Sequence, residues 1–378
     1  MNDHSKSEPS SPPQIQITDS WEFANPPTYR GSTVFFENYQ AMSDENTPYV
    51  YGRWGTPSSN NFCNAMALLE HGFGAILTCS GLAAITTVLL ATLKSGSHLL
   101  IGESSFPAAI KFCDDILSKF GIKIEKFSDT DPSKINEKIL PNTTLIYIDF
   151  PGNYGANIFD LKKIEKKSKD TIILVDNTWA TPLYYNPIKN GADIVVHSTS
   201  KYIAGHSDSI MGCIVVAEEI LYQKILNKCR ILGQYSGADD IHLALRGLKT
   251  LELRMKQHYR SALLIADWLS HHPAIEKVFY AALPSDENHT VWLNKFTGAG
   301  GVFSFFFNTN FEKFYSDFLN KLKIIKLGWG WGGSDTLASS SIVNFGKYKD
   351  RVAIRISIGL ENPGTIIIDL ESSLKFLD

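Results

Sequence analysis

The stretch "IVVHSTSKYIAGHSDSIMG", Ile194 to Gly212, opens with an apolar run and passes at once into Ser198-Thr199-Ser200-Lys201. A short apolar run closed by turn-forming residues reads as a buried strand. The lysine therefore stands just beyond a strand end, among small polar residues and ahead of a glycine turn. Outward from it the same grammar repeats: "TIILV" runs into Asp176-Asn177-Thr178, "LIYIDF" into Pro151-Gly152-Asn153, and "AILTC" into Ser80-Gly81-Leu82. "HLLIGE" is another apolar run of this kind, and segments such as "DLKKIEKKSKD", residues 160–170, read as amphipathic helix between the strands. Strands alternating with helices predict an α/β fold: a mainly parallel sheet covered on both faces. In such sheets ligands bind beyond the carboxyl ends of the strands. Four strand ends thus converge on one candidate site.

The chain has 378 residues, 44% of them hydrophobic, which is enough for a large core divided into two domains. Residues 57–247 carry the strand and helix alternation. After the long helical pattern "LALRGLKTLELRMKQHYRSALLIADWLSHHP", ended by Pro273, "GGVFSFFFN" and "RVAIRISIGL" predict a smaller α+β domain over 248–378. Residues 1–56 form an N-terminal tail and arm, and the Ser/Pro-rich start is too poor in apolar side chains to order itself. The formal charge of −3 and the lack of a basic stripe speak against nucleic acid as a partner. No apolar stretch reaches the ~20 residues of a membrane span and the start lacks a signal-peptide core, so a cytoplasmic location is expected. The five scattered cysteines suggest neither a disulfide framework nor a zinc site, and no metal is expected.

The strand-end residues carry a coherent chemistry. A carboxylate after a fully apolar strand is costly to bury unless a positive group compensates, and a protonated pyridine nitrogen is such a group. Asp176 fits that role. A desolvated lysine loses basicity and forms a Schiff base with an aldehyde. Lys201 fits that one. Ser80-Gly81-Leu82, opening the helix "LAAITTVLLATL", offers backbone N–H groups and the positive end of a helix dipole to a phosphate, with the Ser198 and Ser200 hydroxyls alongside. Aldehyde, pyridinium and phosphate together describe pyridoxal 5'-phosphate.

"VDNTWATPL" followed by "HSTSKYIAGHSDSIMG" resembles the central signature of the pyridoxal-phosphate enzymes of cysteine and methionine metabolism. These are the cystathionine synthases and lyases, methionine γ-lyase and the homoserine sulfhydrylases. The resemblance runs from "YGRWGT" at Tyr51 through "TCSGLAAI" and "ALRGLKTLELRMKQH" to "RISIGLEN", almost the whole chain. It implies the aspartate-aminotransferase-like fold type I, Lys201 as the cofactor-bearing and catalytic lysine, Asp176 at the ring nitrogen, and Ser80, Gly81, Leu82, Ser198 and Ser200 around the phosphate. It further implies that Tyr51 and Arg53 reach the cofactor phosphate of a neighbouring subunit in a homotetramer built of two active dimers. Arg355 in "AIRISIGLEN" matches the arginine that grips a substrate α-carboxylate, with Asn153 and Trp331 also at the substrate. "YGRWGT", "DNTW" and the Trp-Gly-Gly of "GWGWGGSDTL" are most similar to cystathionine β-lyases, which implies cleavage of L-cystathionine to homocysteine, pyruvate and ammonia by a carbon–sulfur lyase of methionine biosynthesis. Two residues depart from that pattern: Gly330 where a serine is usual, and Phe106 where a tyrosine usually stacks on the cofactor. γ-Elimination or γ-replacement is the alternative reaction, and a cofactor-binding protein without turnover is the non-enzymatic one.

Overall fold

The computed structural model describes residues 25–44, 46–128, 132–152 and 158–375. The Ser/Pro-rich start and Asn153 lie outside the described residues. Seven strands make the larger sheet: β1 Gly74–Thr78, β2 His98–Gly102, β3 Lys123–Phe127, β4 Thr143–Asp149, β5 Ile172–Asp176, β6 Ile194–Ser198 and β7 Gly212–Val216. Their order is β1-β7-β6-β5-β4-β2-β3. Neighbours run parallel except for β7, which lies antiparallel between β1 and β6. Every position of β2 and of β7 is buried, as expected of strands covered on both faces. One face carries the helices Gly81–Thr92, Pro107–Asp115 and Glu219–Ile231; the other packs Phe62 and Met66 of the helix Pro57–Glu70 and Ile241 and Ala244 of the helix Ala238–Leu248. Met66 is fully buried, so Met66→Ala costs about 2–5 kcal/mol. This is the pyridoxal-phosphate fold type I architecture.

Two expectations fail locally. Residues 160–170 form only a 3-10 turn, Leu161–Lys163. Within 160–170 only Leu161 and Ile164 are buried, and the Asn136 side chain donates to Lys163 O (2.9 Å) and accepts from Glu165 N (2.9 Å), fixing a non-helical course. The single long helix before Pro273 is two, Ala238–Leu248 and Leu251–Ser270. At the break, Arg254 donates to Gly247 O (2.7 Å), a carbonyl that a continuous helix would have bonded itself, and to the Thr250 hydroxyl (3.1 Å).

Beyond the break lie β8 Ile275–Phe279, β9 Val302–Phe307, β10 Lys326–Leu327, β11 Leu337–Ile342 and β12 Val352–Ser357, in the order β10-β11-β12-β9-β8. β9 is buried along its whole length. β12 presents Arg355 opposite Ser304 of β9 and Ser339 of β11. That register places a cation from the second sheet beside the strand tips of the first.

Candidate active site

A cavity of about 480 Å³ opens at the carboxyl ends of β4, β5 and β6, within the ~300–1,000 Å³ typical of cofactor and ligand sites. It is lined by Ser80, Gly81, Leu82, Phe106, Asp176, Ser198, Ser200, Lys201, Trp331 and Arg355, all anticipated from the sequence. Tyr51 and Arg53 do not line it. Tyr51 bridges Thr33 on the surface, and Arg53 Nη1 donates to Arg230 O (2.9 Å).

The lysine is held by its turn. Lys201 N donates to Ser198 O (3.1 Å) and Lys201 O accepts from Gly205 N (2.8 Å). Gly205 has φ +76°, and a Cβ there would lie 2.0 Å from Arg254 Nη1, so no other residue suits the position. Arg254 reaches through this gap to Tyr202 O (2.6 Å) and clamps the turn from below. Burial pushes the Lys201 ammonium pKa down, the nearby Arg355 charge adds to this, and Asp176 opposes it. Its Nζ lies 5.5 Å from the centre of the Trp331 ring.

Asp176 is buried, and burial raises its pKa. Thr178 opposes this by donating both N–H (3.0 Å) and Oγ1–H to Asp176 Oδ1. Thr178 Oγ1 in turn accepts from Ser198 N (2.8 Å), so one hydroxyl joins the tips of β5 and β6. Both bonds fall on Oδ1, so neither occupies Oδ2.

At the far wall Ser80 caps the helix Gly81–Thr92 by accepting from Ala83 N (3.1 Å). The first-turn N–H groups at Gly81 and Leu82 have no intrahelical acceptor and face the cavity's contents. A Cβ on Gly81 would fall 2.5 Å from Ser198 Cβ, so glycine alone lets the helix start and the Ser198 hydroxyl close on one small anion. Ser200 Oγ is occupied by the Met211 backbone, accepting from its N–H (2.9 Å) and donating to its O (3.2 Å). These residues fit pyridoxal phosphate: an anion cradle, an acid for the ring nitrogen and an amine for the aldehyde.

Phe106 N donates to Asp149 Oδ2 (2.9 Å), which sets the ring at the cavity rim. Arg355 Nη2 donates to Trp329 O (2.7 Å), fixing one arm of its fork. At Gly330 a Cβ would make only ordinary contact, 3.7 Å from Leu337 Cδ1, so the fold does not demand glycine there. The wall also includes Pro151, Gly152 and Thr178, which the sequence places at strand ends without a role, and Ile85, Asp149, Trp179, Ile210, Val302 and Trp329, which sequence reasoning missed. Asp149 carries the strand-tip signal and was within reach; Ile85, Trp179, Ile210, Val302 and Trp329 are apolar and carry none.

Comparison with known proteins agrees with this geometry. The family model for "Cys/Met metabolism PLP-dependent enzyme" matches residues 14–375. A protein named putative cystathionine beta-lyase from Rhizobium johnstonii is 35% identical, covering 92% of this chain and 90% of that protein. One named L-alanine/L-glutamate racemase from Wolbachia pipientis wMel is also 35% identical, covering 93% of each. A crystal structure of cystathionine gamma synthase from Xanthomonas oryzae pv. oryzae superposes with TM-score 0.86 at 28% identity, covering 93% of this chain and 92% of that one. The strand-tip lysine, the buried aspartate and the glycine cradle thus stand in a chain that belongs to the pyridoxal-phosphate-dependent enzymes of cysteine and methionine metabolism.

Proposed function

We propose that the protein is a carbon–sulfur lyase that cleaves L-cystathionine by β-elimination to homocysteine, pyruvate and ammonia. The observation that carries this reading is the placement of Lys201 between Arg355 and Asp176 in one cavity, its ammonium made more acidic by burial and by Arg355. Arg355 binds the substrate carboxylate, and Trp331 packs beside the amine of Lys201. Lys201 Nζ, in its amine form, removes the proton from the substrate Cα. Bound pyridoxal phosphate supplies the electron-withdrawing ring that accepts the charge left at that carbon. Asp176 Oδ2 holds a proton on the ring nitrogen, and the Gly81 and Leu82 N–H groups with Ser198 hold the phosphate. The Cβ–S bond then breaks with its electron pair leaving on sulfur, which takes up a proton to give homocysteine, and water hydrolyses the released three-carbon enamine to pyruvate and ammonia. The β-lyase choice over γ-chemistry rests on "YGRWGT", "DNTW" and "GWGWGG".

The proposal includes a shared site: Tyr51 and Arg53 of one subunit serve the phosphate of its neighbour, within a cytoplasmic tetramer of two active dimers. Both residues are exposed or half-buried on a chain segment remote from their own cavity wall, and no described helix is long and apolar enough to cross a membrane.

The test is product analysis with purified protein. Pyruvate and a free thiol in equal amounts from cystathionine are expected. 2-Oxobutyrate with cysteine would instead mean γ-elimination, D-alanine from L-alanine would mean racemisation, and no product from either would leave a cofactor-binding role.

A further inference from the structure

Behind the cavity lies a second polar cluster that the proposed reaction does not use. Glu70, His197 and Asn177 are all fully buried. Glu70 Oε1 accepts from Asn177 Nδ2 (2.7 Å) and pairs with His197 Nε2 (2.7 Å), while Oε2 accepts from Asn186 Nδ2 (3.4 Å). The position is unfavourable for a carboxylate: it is dry, and it ends the helix Pro57–Glu70, where the dipole is negative. A fold keeps such a group where positive and donor partners hold it. Its partners are the immediate neighbours of site residues, Asn177 after Asp176 on β5 and His197 before Ser198 on β6.

Adjacent strand residues point to opposite faces. The two tips are therefore pinned twice: Thr178 ties Ser198 to Asp176 on the cavity face, and Glu70 ties His197 to Asn177 on the other. The main chains also bond there, Asn177 N to Val196 O (3.0 Å). Burial raises the Asp176 pKa, and the bonds from Thr178 oppose this.

We propose that the buried Glu70–His197 pair positions Asp176, keeping the tips of β5 and β6 in register so that its carboxylate is directed at the cofactor ring nitrogen. This rests on the role given to Asp176 above. Neither Glu70 nor His197 touches the cavity; both act through Asp176.

The experiment compares two cofactors, pyridoxal phosphate and its 1-deaza analogue, in which a C–H replaces the ring nitrogen. Affinity of the cofactor-free protein for each is measured by equilibrium dialysis. The wild type is expected to prefer the natural cofactor by about tenfold or more, because only it offers Asp176 a charged hydrogen bond. His197→Gln should bring the ratio close to one by weakening pyridoxal phosphate alone, and Glu70→Gln should lower it part of the way. Thermal unfolding of the cofactor-free variants reports their folding; if His197→Gln does not fold, Glu70→Gln decides by the same ratio. Equal weakening of both cofactors, or an unchanged ratio, overturns the inference and leaves the Asp176 reading standing. A wild type without preference overturns both.

Discussion

The strand-tip cavity and the N-terminal arm are built on opposite terms. At the tips each site residue is fixed by its own chain: Lys201 by its turn and Arg254, Asp176 by Thr178, Phe106 by Asp149. The arm is tied down by polar contacts, Arg30 to Asp239 and Arg53 to Arg230 O among them, but buries little. Its helix Tyr39–Ser43 buries no residue, Phe35 is 95% and Tyr39 76% exposed, and Tyr51 and Trp54 are each 44% exposed. Apolar side chains displayed together mark a contact surface. One region is thus preorganised within the chain, while the other leaves its apolar side chains exposed.

The largest effects belong to the self-contained region. Lys201→Ala should abolish covalent attachment of the cofactor and lower turnover by about 1,000-fold, within the 10²–10⁴ range of a general acid–base group, with unfolding temperature little changed. Borohydride reduction and peptide mapping of the wild type should label Lys201; a label on another lysine sinks the assignment. Asp176→Asn should keep the cofactor yet lose about 100-fold in kcat, since the amide cannot hold the ring nitrogen protonated. Near-normal turnover would mean that another group does so.

The arm is tested by mixing subunits. Arg53→Ala and Lys201→Ala proteins, each nearly inactive, should regain up to about a quarter of wild-type activity when reassembled at random, because half the dimers carry one intact shared site. No recovery in mixtures proven to hybridise would make the arm a surface unrelated to catalysis.

Phe106 sharpens the comparison from the rim, where the effect is smallest. Phe106→Tyr should leave the cofactor spectrum unchanged and raise kcat/KM, while Phe106→Ala should weaken cofactor retention about two- to tenfold, the loss of roughly 0.5–1.5 kcal/mol of ring stacking. If Phe106→Tyr lowers activity and Phe106→Ala leaves binding untouched, the ring does not face the cofactor.

Much of this was legible because strand burial writes a simple pattern. Continuous apolar runs in β1, β4, β5 and β6 stop at polar residues, and residues at those ends line the candidate cavity. β3, "KIEKF", escaped notice because this edge strand carries charged side chains on both faces, none of them buried, which breaks the apolar run. β7, "GCIVV", was apolar enough to find but lay hidden in a motif read for its chemistry. Lysine-rich residues 160–170 had helical spacing, yet Asn136 offered their backbone other bonds. The Glu70–His197 pair spans 127 positions, and no local pattern announces a contact of that range.

The antiparallel β7 also bears on the order of assembly. Among the described residues β1 pairs only with β7, from Gly74 against Val216 to Thr78 against Gly212, so an early-synthesised strand has no sheet partner until the chain beyond the lysine turn has emerged. A Cβ on Gly212 would lie 2.2 Å from Ser80 O, so the closing strand and the anion cradle mature together. Long-range pairing of this kind is slow, and it leaves apolar strands exposed to aggregation meanwhile. During biosynthesis the nascent chain therefore completes its phosphate cradle late, and free cofactor should speed refolding only at the final, β7-dependent step.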